Sequence, residues 1–92
     1  MILGFRCEGT RQLFETGSSR RWSAILTVAT RKLLMLHAAV ELRDLRSPPG
    51  NRLEALHGNR SGQHSIRIND QWRVCFVWTE AGPDQVEIVD YH

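Results

Sequence analysis

A Pro-Pro-Gly-Asn sequence at residues 48–51 divides the chain into two parts with different folding tendencies. Successive prolines cannot continue a helix, and a following Gly-Asn pair favours a turn. Before this break, apolar residues recur at intervals of three and four; after it, they fall in short alternating runs separated by turn residues. These periods are typical of a helix and of a strand, respectively. The break therefore predicts a helical first half and a sheet-forming second half.

The first half predicts two helices. A turn with an N-cap at Thr10 begins a short helix that ends at Gly17, and a longer helix is capped by Ser18 and Ser19. The apolar side of the longer helix is expected to face a sheet. It consists of Trp22, Ile25, Leu26, Ala29, Leu33, Leu36 and Val40. The opposite, solvent-facing side is expected to carry Arg20, Arg21, Arg31 and Lys32.

Residues 2–6 predict a strand at the N-terminus, and four more strands are predicted after the break. The four later strands cover residues 52–56, 63–68, 72–78 and 85–90. Short connections, such as the turn at 69–71, make neighbouring strands antiparallel. The predicted fold is α+β, in which the N-terminal strand and the two helices pack on a four-stranded antiparallel sheet.

The length of 92 residues predicts a single domain over 1–92. Apolar runs, such as that at 33–36, extend no further than five residues, far fewer than the ~20 of a membrane helix, so no membrane partner is expected. The N-terminus lacks the pattern of a signal peptide, which predicts a cytoplasmic protein. Cys7, Cys75 and the four histidines show neither a disulfide framework nor zinc-ligand spacing, so neither metal nor another cofactor is expected.

The net charge of +2 is unevenly distributed. Residues 1–50 hold eight basic and four acidic residues, whereas residues 51–92 hold four basic and six acidic residues. Eleven of the twelve basic residues are arginines, whose planar guanidinium binds phosphate through two hydrogen bonds and stacks on bases. The composition thus favours an anionic partner, although such charge is also common on any solvated face.

Three arginines of the second half are candidates for contacts with phosphate. Arg60 lies in a predicted turn, while Arg67 and Arg73 are expected to face each other across the turn at 69–71. An arginine in this position suits a scissile phosphate, because it can neutralise the charge that develops during cleavage. The alternative is that these arginines form ordinary surface ion pairs with Asp70, Glu54 and Glu87.

The sequence closes with Asp90, Tyr91 and His92 directly after the last predicted strand. Such a position is often solvated and dispensable. The functional interpretation is general acid–base chemistry, because histidine titrates near neutral pH and an adjacent carboxylate can orient it.

An ordered set of segments resembles the HigB-type toxins of bacterial toxin–antitoxin pairs, GraT among them, within the RelE/ParE superfamily. The segments are residues 44–54, 58–60, 65–73 and 86–92. The resemblance implies a RelE-like fold and a ribosome-dependent mRNA endonuclease that uses no metal. It also implies three kinds of partner: a HigA-type helix-turn-helix antitoxin, the ribosomal A site with its rRNA and mRNA, and operator DNA indirectly through the antitoxin.

The resemblance also implies roles for individual residues. Asp90, Tyr91 and His92 match the catalytic tail of the family, and Arg73 matches a strand arginine that stabilises the phosphate. Gln71 lies where the turn of the family touches a codon base. Arg60, Arg67, Arg20, Arg21, Arg31 and Lys32 are the expected RNA-binding residues.

Glu54 stands where some HigB toxins have a catalytic histidine. A glutamate can also accept a proton, but its charge near an oxyanion costs electrostatic stabilisation. His57 is three residues further along the predicted strand and is therefore expected on the opposite face. In the working hypothesis, His92 carries the acid–base function, and Tyr91 and Asp90 position it.

Two other functions are compatible with the same fold. One is a gyrase-inhibiting toxin of the ParE type, and the other is a non-catalytic RNA-binding module whose basic helix face binds rRNA. The titratable group at 90–92 favours the nuclease, because a protein that only occludes its partner does not need it.

Overall fold

In the computed structural model, which describes residues 1–90, two helices precede four strands. The helices are α1 (Glu8–Thr16) and α2 (Leu26–Ala38), and the strands are β1 (Glu54–Ala55), β2 (His64–Arg67), β3 (Trp72–Thr79) and β4 (Gly82–Asp90). The strands form one antiparallel sheet in the order β1-β2-β3-β4. The predicted α+β arrangement, with helices before a four-stranded antiparallel sheet, is confirmed.

The N-terminal segment pairs with the sheet through a single bridge and does not form a regular strand. Phe5 bridges Val86 in parallel, and the amide of Leu3 donates to the carbonyl of Pro83 at 2.8 Å. Between these two contacts, Gln85 adopts a φ of 49°, and the β3–β4 register shifts between Cys75 and Val77. A bulge of this kind interrupts the ladder between β3 and β4.

Helix α1 begins earlier than predicted. Thr10 is a buried residue inside the helix, and its Oγ1 accepts a hydrogen bond from the amide of Ile88 at 3.1 Å. The threonine hydroxyl therefore ties α1 to β4 instead of capping the helix. The predicted end is confirmed: Gly17, at φ 72°, donates its amide to the carbonyl of Leu13 at 2.8 Å.

Helix α2 is shorter than the predicted apolar stripe. The 3₁₀ turn Ser23–Ile25 precedes it, and the side chain of Ser19 accepts a hydrogen bond from the amide of Trp22 at 3.1 Å. The helix ends at Ala38 because the next residue is extended. Val40, which the spacing of the stripe places toward the sheet, is instead 84% exposed.

The core lies between the helices and one face of the sheet. It contains Leu13, Trp22, Ala29, Leu33, Leu36, Leu45, Ile66, Ile68, Val74, Phe76, Val86 and Ile88. Because side chains alternate along a strand, the intervening residues of β2, β3 and β4 point to the other face. We call that second side the open face; it carries Glu54, Ser65, Arg67, Arg73, Cys75 and Glu87. Among the described residues, neither helix combines the length and apolar character that a membrane span requires.

Candidate functional site

Three of the predicted site residues of the second half, Glu54, Arg67 and Arg73, lie on the open face. The register places Glu54 opposite Ser65, Ser65 opposite Cys75, and Cys75 opposite Glu87. Arg67 lies directly opposite Arg73, as predicted from the short turn between their strands.

Arg73 is the most buried charged residue of this face, with 7% of its surface exposed. Its Nε donates to Ser65 Oγ at 2.7 Å, and its Nη2 donates to the carbonyls of Arg52 at 2.6 Å and Ser65 at 3.3 Å. These bonds compensate for the desolvation of the guanidinium, which would otherwise be costly. They also hold the group in one orientation, as a phosphate-binding arginine requires.

Glu54 lies on the short edge strand β1, beside Arg73. Its Oε1 is 3.9 Å from Arg73 Nε, and its side chain is 45% exposed. The carboxylate is therefore both accessible to a substrate and close to a fixed positive charge. Arg73 reduces the electrostatic cost that a carboxylate would otherwise impose near an oxyanion.

His57 lies beyond the end of the short strand that contains Glu54. Strand β1 ends at Ala55, two residues before His57, so the alternation expected for a strand over 52–56 does not extend to this histidine. His57 instead lines a cleft of about 340 Å³ together with Glu54 and Arg60. The strand alternation on which the expectation of opposite faces rested therefore does not reach His57.

Arg60 forms an ion pair with Glu87, which lies on the open face. Its Nη1 donates to Glu87 Oε1 at 2.8 Å and to Gln63 Oε1 at 3.1 Å. The hydrogen bond with Glu87 is the main cause that raises the pKa of Arg60 above its ordinary value. Ion pairs, the alternative to phosphate binding, are thus present for Arg60 with Glu87, for Arg67 with Asp70 and for Arg73 with Glu54.

The turn between β2 and β3 connects Arg67 and Gln71 to acidic groups. Arg67 Nη2 donates to Asp70 Oδ1, and Gln71 Nε2 donates to Asp90 Oδ2 at 3.2 Å. The turn itself is held by Asn69, whose Oδ1 accepts from the amides of Gln71 at 2.9 Å and Trp72 at 2.8 Å. Gln71 and Asp90 are therefore adjacent at the end of β4. Tyr91 and His92, which follow Asp90 in sequence, lie outside the described residues.

The predicted basic helix face is only partly present. Arg20, Arg21 and Arg31 are exposed, and the Arg21 guanidinium carbon lies 4.9 Å from the centre of the Trp22 ring. Lys32, in contrast, is only 6% exposed and donates to Asn51 Oδ1. The expectation that Lys32 belongs to the solvent-facing basic surface is wrong, because its polar partner lies 19 residues away and draws it inward.

A larger cleft of about 570 Å³ also borders β1. It is lined by Glu41, Leu42, Arg43, Arg46, Leu53, Glu54, Ala55 and His64. Glu54 thus borders both clefts. The sequence analysis did not predict His64, Arg43 or Arg46 as site residues. The predicted pairing of the first two strands after the break was the signal that could have placed His64 near Glu54.

Within residues 1–90, no group of three or more His, Cys, Asp or Glu side chains is arranged to hold a metal ion.

Comparison with known proteins identifies relatives over nearly the whole chain. Residues 3–92 match the model of a family described as the RelE-like toxin of the type II toxin–antitoxin system HigB. Toxin HigB-1 of Vibrio cholerae serotype O1 is 43% identical over 82 residues, which cover 87% of this chain and 86% of the relative. An uncharacterized protein of Haemophilus influenzae is 43% identical over 56 residues, which cover 61% of this chain and 55% of the relative.

Proposed function

Because the chain belongs to the RelE-like HigB toxins of type II toxin–antitoxin systems, we propose that it is an endoribonuclease that enters the ribosomal A site and cleaves the mRNA codon there. The observation that carries this proposal is the fixed guanidinium of Arg73, which lies within 3.9 Å of the accessible carboxylate of Glu54. A phosphate that contacts Arg73 on the open face would also be within reach of Glu54.

The proposed reaction is a metal-independent transesterification. The 2′-hydroxyl of the mRNA attacks the adjacent phosphorus, the new O–P bond forms, and the bond from phosphorus to the 5′-oxygen breaks. The products are a 2′,3′-cyclic phosphate and a free 5′-hydroxyl. One group must accept the proton of the 2′-hydroxyl, and another must donate a proton to the 5′-oxygen.

Arg73 has the electrostatic role in this scheme. Negative charge accumulates on the non-bridging oxygens as the phosphorus becomes five-coordinate, and a preorganised donor stabilises that charge without reorganising. Loss of one such donor typically lowers the rate about 10²- to 10³-fold. The hydrogen bonds from Arg73 to Ser65 and Arg52 supply the preorganisation.

The acid–base roles are assigned to Glu54 and to the C-terminal residues. Glu54 is the proposed proton acceptor, since its carboxylate is accessible and is compensated by Arg73. His92 is the proposed acid–base partner, positioned by Tyr91 and Asp90. Asp90 accepts a hydrogen bond from Gln71, which would join this group to the residue proposed to touch the codon base.

The remaining arginines are proposed to hold RNA. Arg60 and Arg67 lie on or beside the open face, where each would exchange its carboxylate partner for an mRNA phosphate. Arg20, Arg21 and Arg31 are exposed and are proposed to contact rRNA; Lys32 is excluded because it is buried.

A toxin of a type II system has a cognate antitoxin as its partner. We propose that this antitoxin is a HigA-type helix-turn-helix protein, that operator DNA is reached only through it, and that the toxin acts in the cytoplasm, where its ribosomal target lies.

The direct test is cleavage of a defined mRNA in a purified translation system, with the wild-type protein and Arg73→Ala. The proposal expects new 5′ ends at the A-site codon with the wild type and about 10²-fold slower cleavage with the variant. Intact mRNA together with loss of gyrase supercoiling would assign the protein to the ParE type. Ribosome binding without cleavage in either form would instead indicate an RNA-binding module.

A further inference from the structure

Asn51, the last residue of the Pro-Pro-Gly-Asn sequence, is fully buried and makes polar contacts in three directions. Its Nδ2 donates to the carbonyls of Leu45 at 3.1 Å and Ser47 at 3.3 Å, and its Oδ1 accepts from Lys32 Nζ. A side-chain amide can donate to two carbonyls and accept from an ammonium at the same time. The contacts therefore use both halves of the amide.

Lys32 contributes a buried cation to this arrangement. Burial of its ammonium lowers its pKa from the ordinary value, and the charges of Arg31 and Arg67 lower it further. Burying such a group is unfavourable unless polar partners accept its hydrogens. The bond to Asn51 Oδ1 links α2 to the turn that leads into β1.

The backbone after Asn51 leads directly to Arg73. The 3₁₀ turn Pro49–Asn51 is followed by Arg52 in the left-handed region, with φ 45° and ψ 54°. The Arg52 amide donates to the carbonyl of Pro49 at 3.1 Å, and the Arg52 carbonyl accepts from Arg73 Nη2 at 2.6 Å. A non-glycine residue keeps this unfavourable conformation only where its surroundings impose it.

We propose that Lys32 and Asn51 are positioning residues for Arg73. They fix the Pro49–Asn51 turn, which holds Arg52 in its left-handed conformation and aims its carbonyl at the guanidinium of Arg73. This inference rests on the proposed nuclease function, in which the orientation of Arg73 determines the rate of cleavage. It gives the Pro-Pro-Gly-Asn sequence a part in activity and not only in chain reversal.

A purely structural role for the two residues is the competing explanation. In that case, removing them would lower stability and would affect cleavage equally whether or not Arg73 is present. If they act through Arg73, their removal has no further effect once the arginine is gone. Coupling between the two positions therefore separates the explanations.

The test uses Lys32→Met and Asn51→Leu, each in the wild-type and in the Arg73→Ala background. Single-turnover cleavage of ribosome-bound mRNA is measured against protein concentration, at a temperature where all variants are folded. We expect each single variant to lower the maximal rate at least tenfold, with less than a twofold change in the concentration for half-maximal rate. In the Arg73→Ala background, we expect less than a twofold further decrease.

Val86→Ala is the matched control, because it removes apolar core packing from β4 without touching the polar arrangement. It should lower the melting temperature without changing the maximal rate. The inference would be overturned if Lys32→Met and Asn51→Leu lowered the rate by the same factor in the wild-type and Arg73→Ala backgrounds. It would also be overturned if neither variant changed the rate in the wild-type background. If Asn51→Leu does not fold, Lys32→Met alone decides, since it leaves the hydrogen bonds from Asn51 to the two carbonyls in place.

A spectroscopic measurement separates failure of this inference from failure of the proposed function. In the wild type, the Nε–H of Arg73 donates to Ser65, so its NMR signal should exchange slowly with solvent. Lys32→Met should accelerate that exchange at least tenfold, even if the wild type cleaves no RNA. An unchanged exchange rate would contradict the positioning role.

Discussion

At the scale of single residues, the central feature is a charged side chain that is held in place before any substrate arrives. Arg73 donates hydrogen bonds to the Ser65 hydroxyl and to the backbone carbonyls of Arg52 and Ser65. Backbone acceptors are fixed by the sheet and by the preceding turn, so they orient the guanidinium more rigidly than a mobile surface side chain would. In the proposed function, the planar geometry of the guanidinium matters as well as its charge.

Arg73→Lys tests whether geometry or charge matters. The variant keeps the positive charge but cannot donate simultaneously to Ser65 Oγ and the Arg52 carbonyl in the same planar arrangement. We expect cleavage to slow by about 10²-fold, comparable to the removal of a whole oxyanion donor. Ribosome binding, measured in parallel by co-sedimentation, should change little. Near-normal cleavage in Arg73→Lys would show that a positive charge alone is sufficient.

His92→Ala tests the proposed acid–base function of the C-terminal group. We expect cleavage to fall below detection while the melting temperature stays close to that of the wild type, because His92 is proposed to act on the substrate and not on the fold. His57→Ala is the informative comparison, since His57 lines the same cleft as Glu54. Full activity in His92→Ala would contradict the assignment, and inactivity of His57→Ala would transfer the role to that residue.

Residue-level predictions from the sequence succeeded where short connections determine the outcome. The pairing of Arg67 with Arg73 followed from the short turn between their strands, which sets the register. The burial of Lys32 did not follow, because its partner Asn51 is distant in sequence and a lysine on a helix is normally solvated. The prediction for His57 used alternation along a strand, which does not extend to this residue because β1 is only two residues long.

At the scale of elements, the ends of helices and turns determine where the site residues lie. The turn Leu42–Arg46 borders the larger cleft and begins with a capping box between Glu41 and Asp44. Asp44 Oδ2 accepts from the amides of Glu41 at 2.9 Å and Val40 at 3.0 Å. These two hydrogen bonds lower the pKa of Asp44 below its ordinary value of 3.8, and the bond from the Glu41 amide has the larger effect.

The capping carboxylate of Asp44 should contribute stability that depends on pH. A carboxyl with a lowered pKa in the folded state stabilises the fold fully above its unfolded pKa, and this contribution is lost as the pH falls through the folded value. At pH 7, Asp44→Ala should therefore unfold at a lower urea concentration than the wild type. The difference between their unfolding midpoints should disappear as the pH falls through the folded-state pKa of Asp44, which lies below 3.8. Asp44→Asn, which keeps an acceptor oxygen but does not titrate there, serves as the control. A difference that persists unchanged at low pH would contradict this explanation.

Gly17 tests the end of α1. It is in the left-handed region at φ 72°, and a Cβ added there would meet no atom within 4 Å. Gly17→Ala should thus destabilise the fold by about 1 kcal/mol through backbone strain alone. A Cβ added at Gly50 would also meet no atom within 4 Å, and Gly50 does not have a positive φ. Gly50→Ala should therefore leave the free energy of unfolding nearly unchanged. Equal effects of the two substitutions in urea unfolding would rule out strain as the cause.

The sequence predicted the kinds of element better than their limits. The break at residues 48–51 correctly separates helices from strands, since proline and glycine constrain the backbone locally. The N-terminal segment makes one bridge, between Phe5 and Val86, instead of the strand predicted over residues 2–6. Thr10 lies inside the helix, and its hydroxyl accepts a hydrogen bond from the amide of Ile88. This contact is distant in sequence, so the local pattern could not predict it.

At the scale of the whole molecule, this small protein carries arginines on two surfaces. The open face carries arginines paired with carboxylates, and the helical side carries exposed arginines, of which Arg21 lies over the Trp22 ring. With principal extents of 31 × 27 × 26 Å, the molecule has little depth for enclosing a substrate. In the proposed function, the ribosome would position the RNA for this small protein.

The exposed arginines should set the salt dependence of ribosome binding. Arg20→Ala combined with Arg31→Ala should weaken binding and lower the slope of log K against log salt by roughly one for each phosphate that the variant no longer binds. Arg6→Ala combined with Arg11→Ala removes the same charge from other exposed positions and should leave the slope unchanged. Identical slopes for the two double variants would indicate that only net charge matters.

The measurement that tests the central claim most directly is high-resolution mapping of mRNA 5′ ends with the purified protein, in the presence and absence of ribosomes. We predict cuts confined to the A-site codon of ribosome-bound mRNA, with 5′-hydroxyl ends, and an intact message when ribosomes are omitted. Equal cleavage of free and ribosome-bound mRNA would contradict ribosome dependence, and an intact message under both conditions would contradict the nuclease function itself.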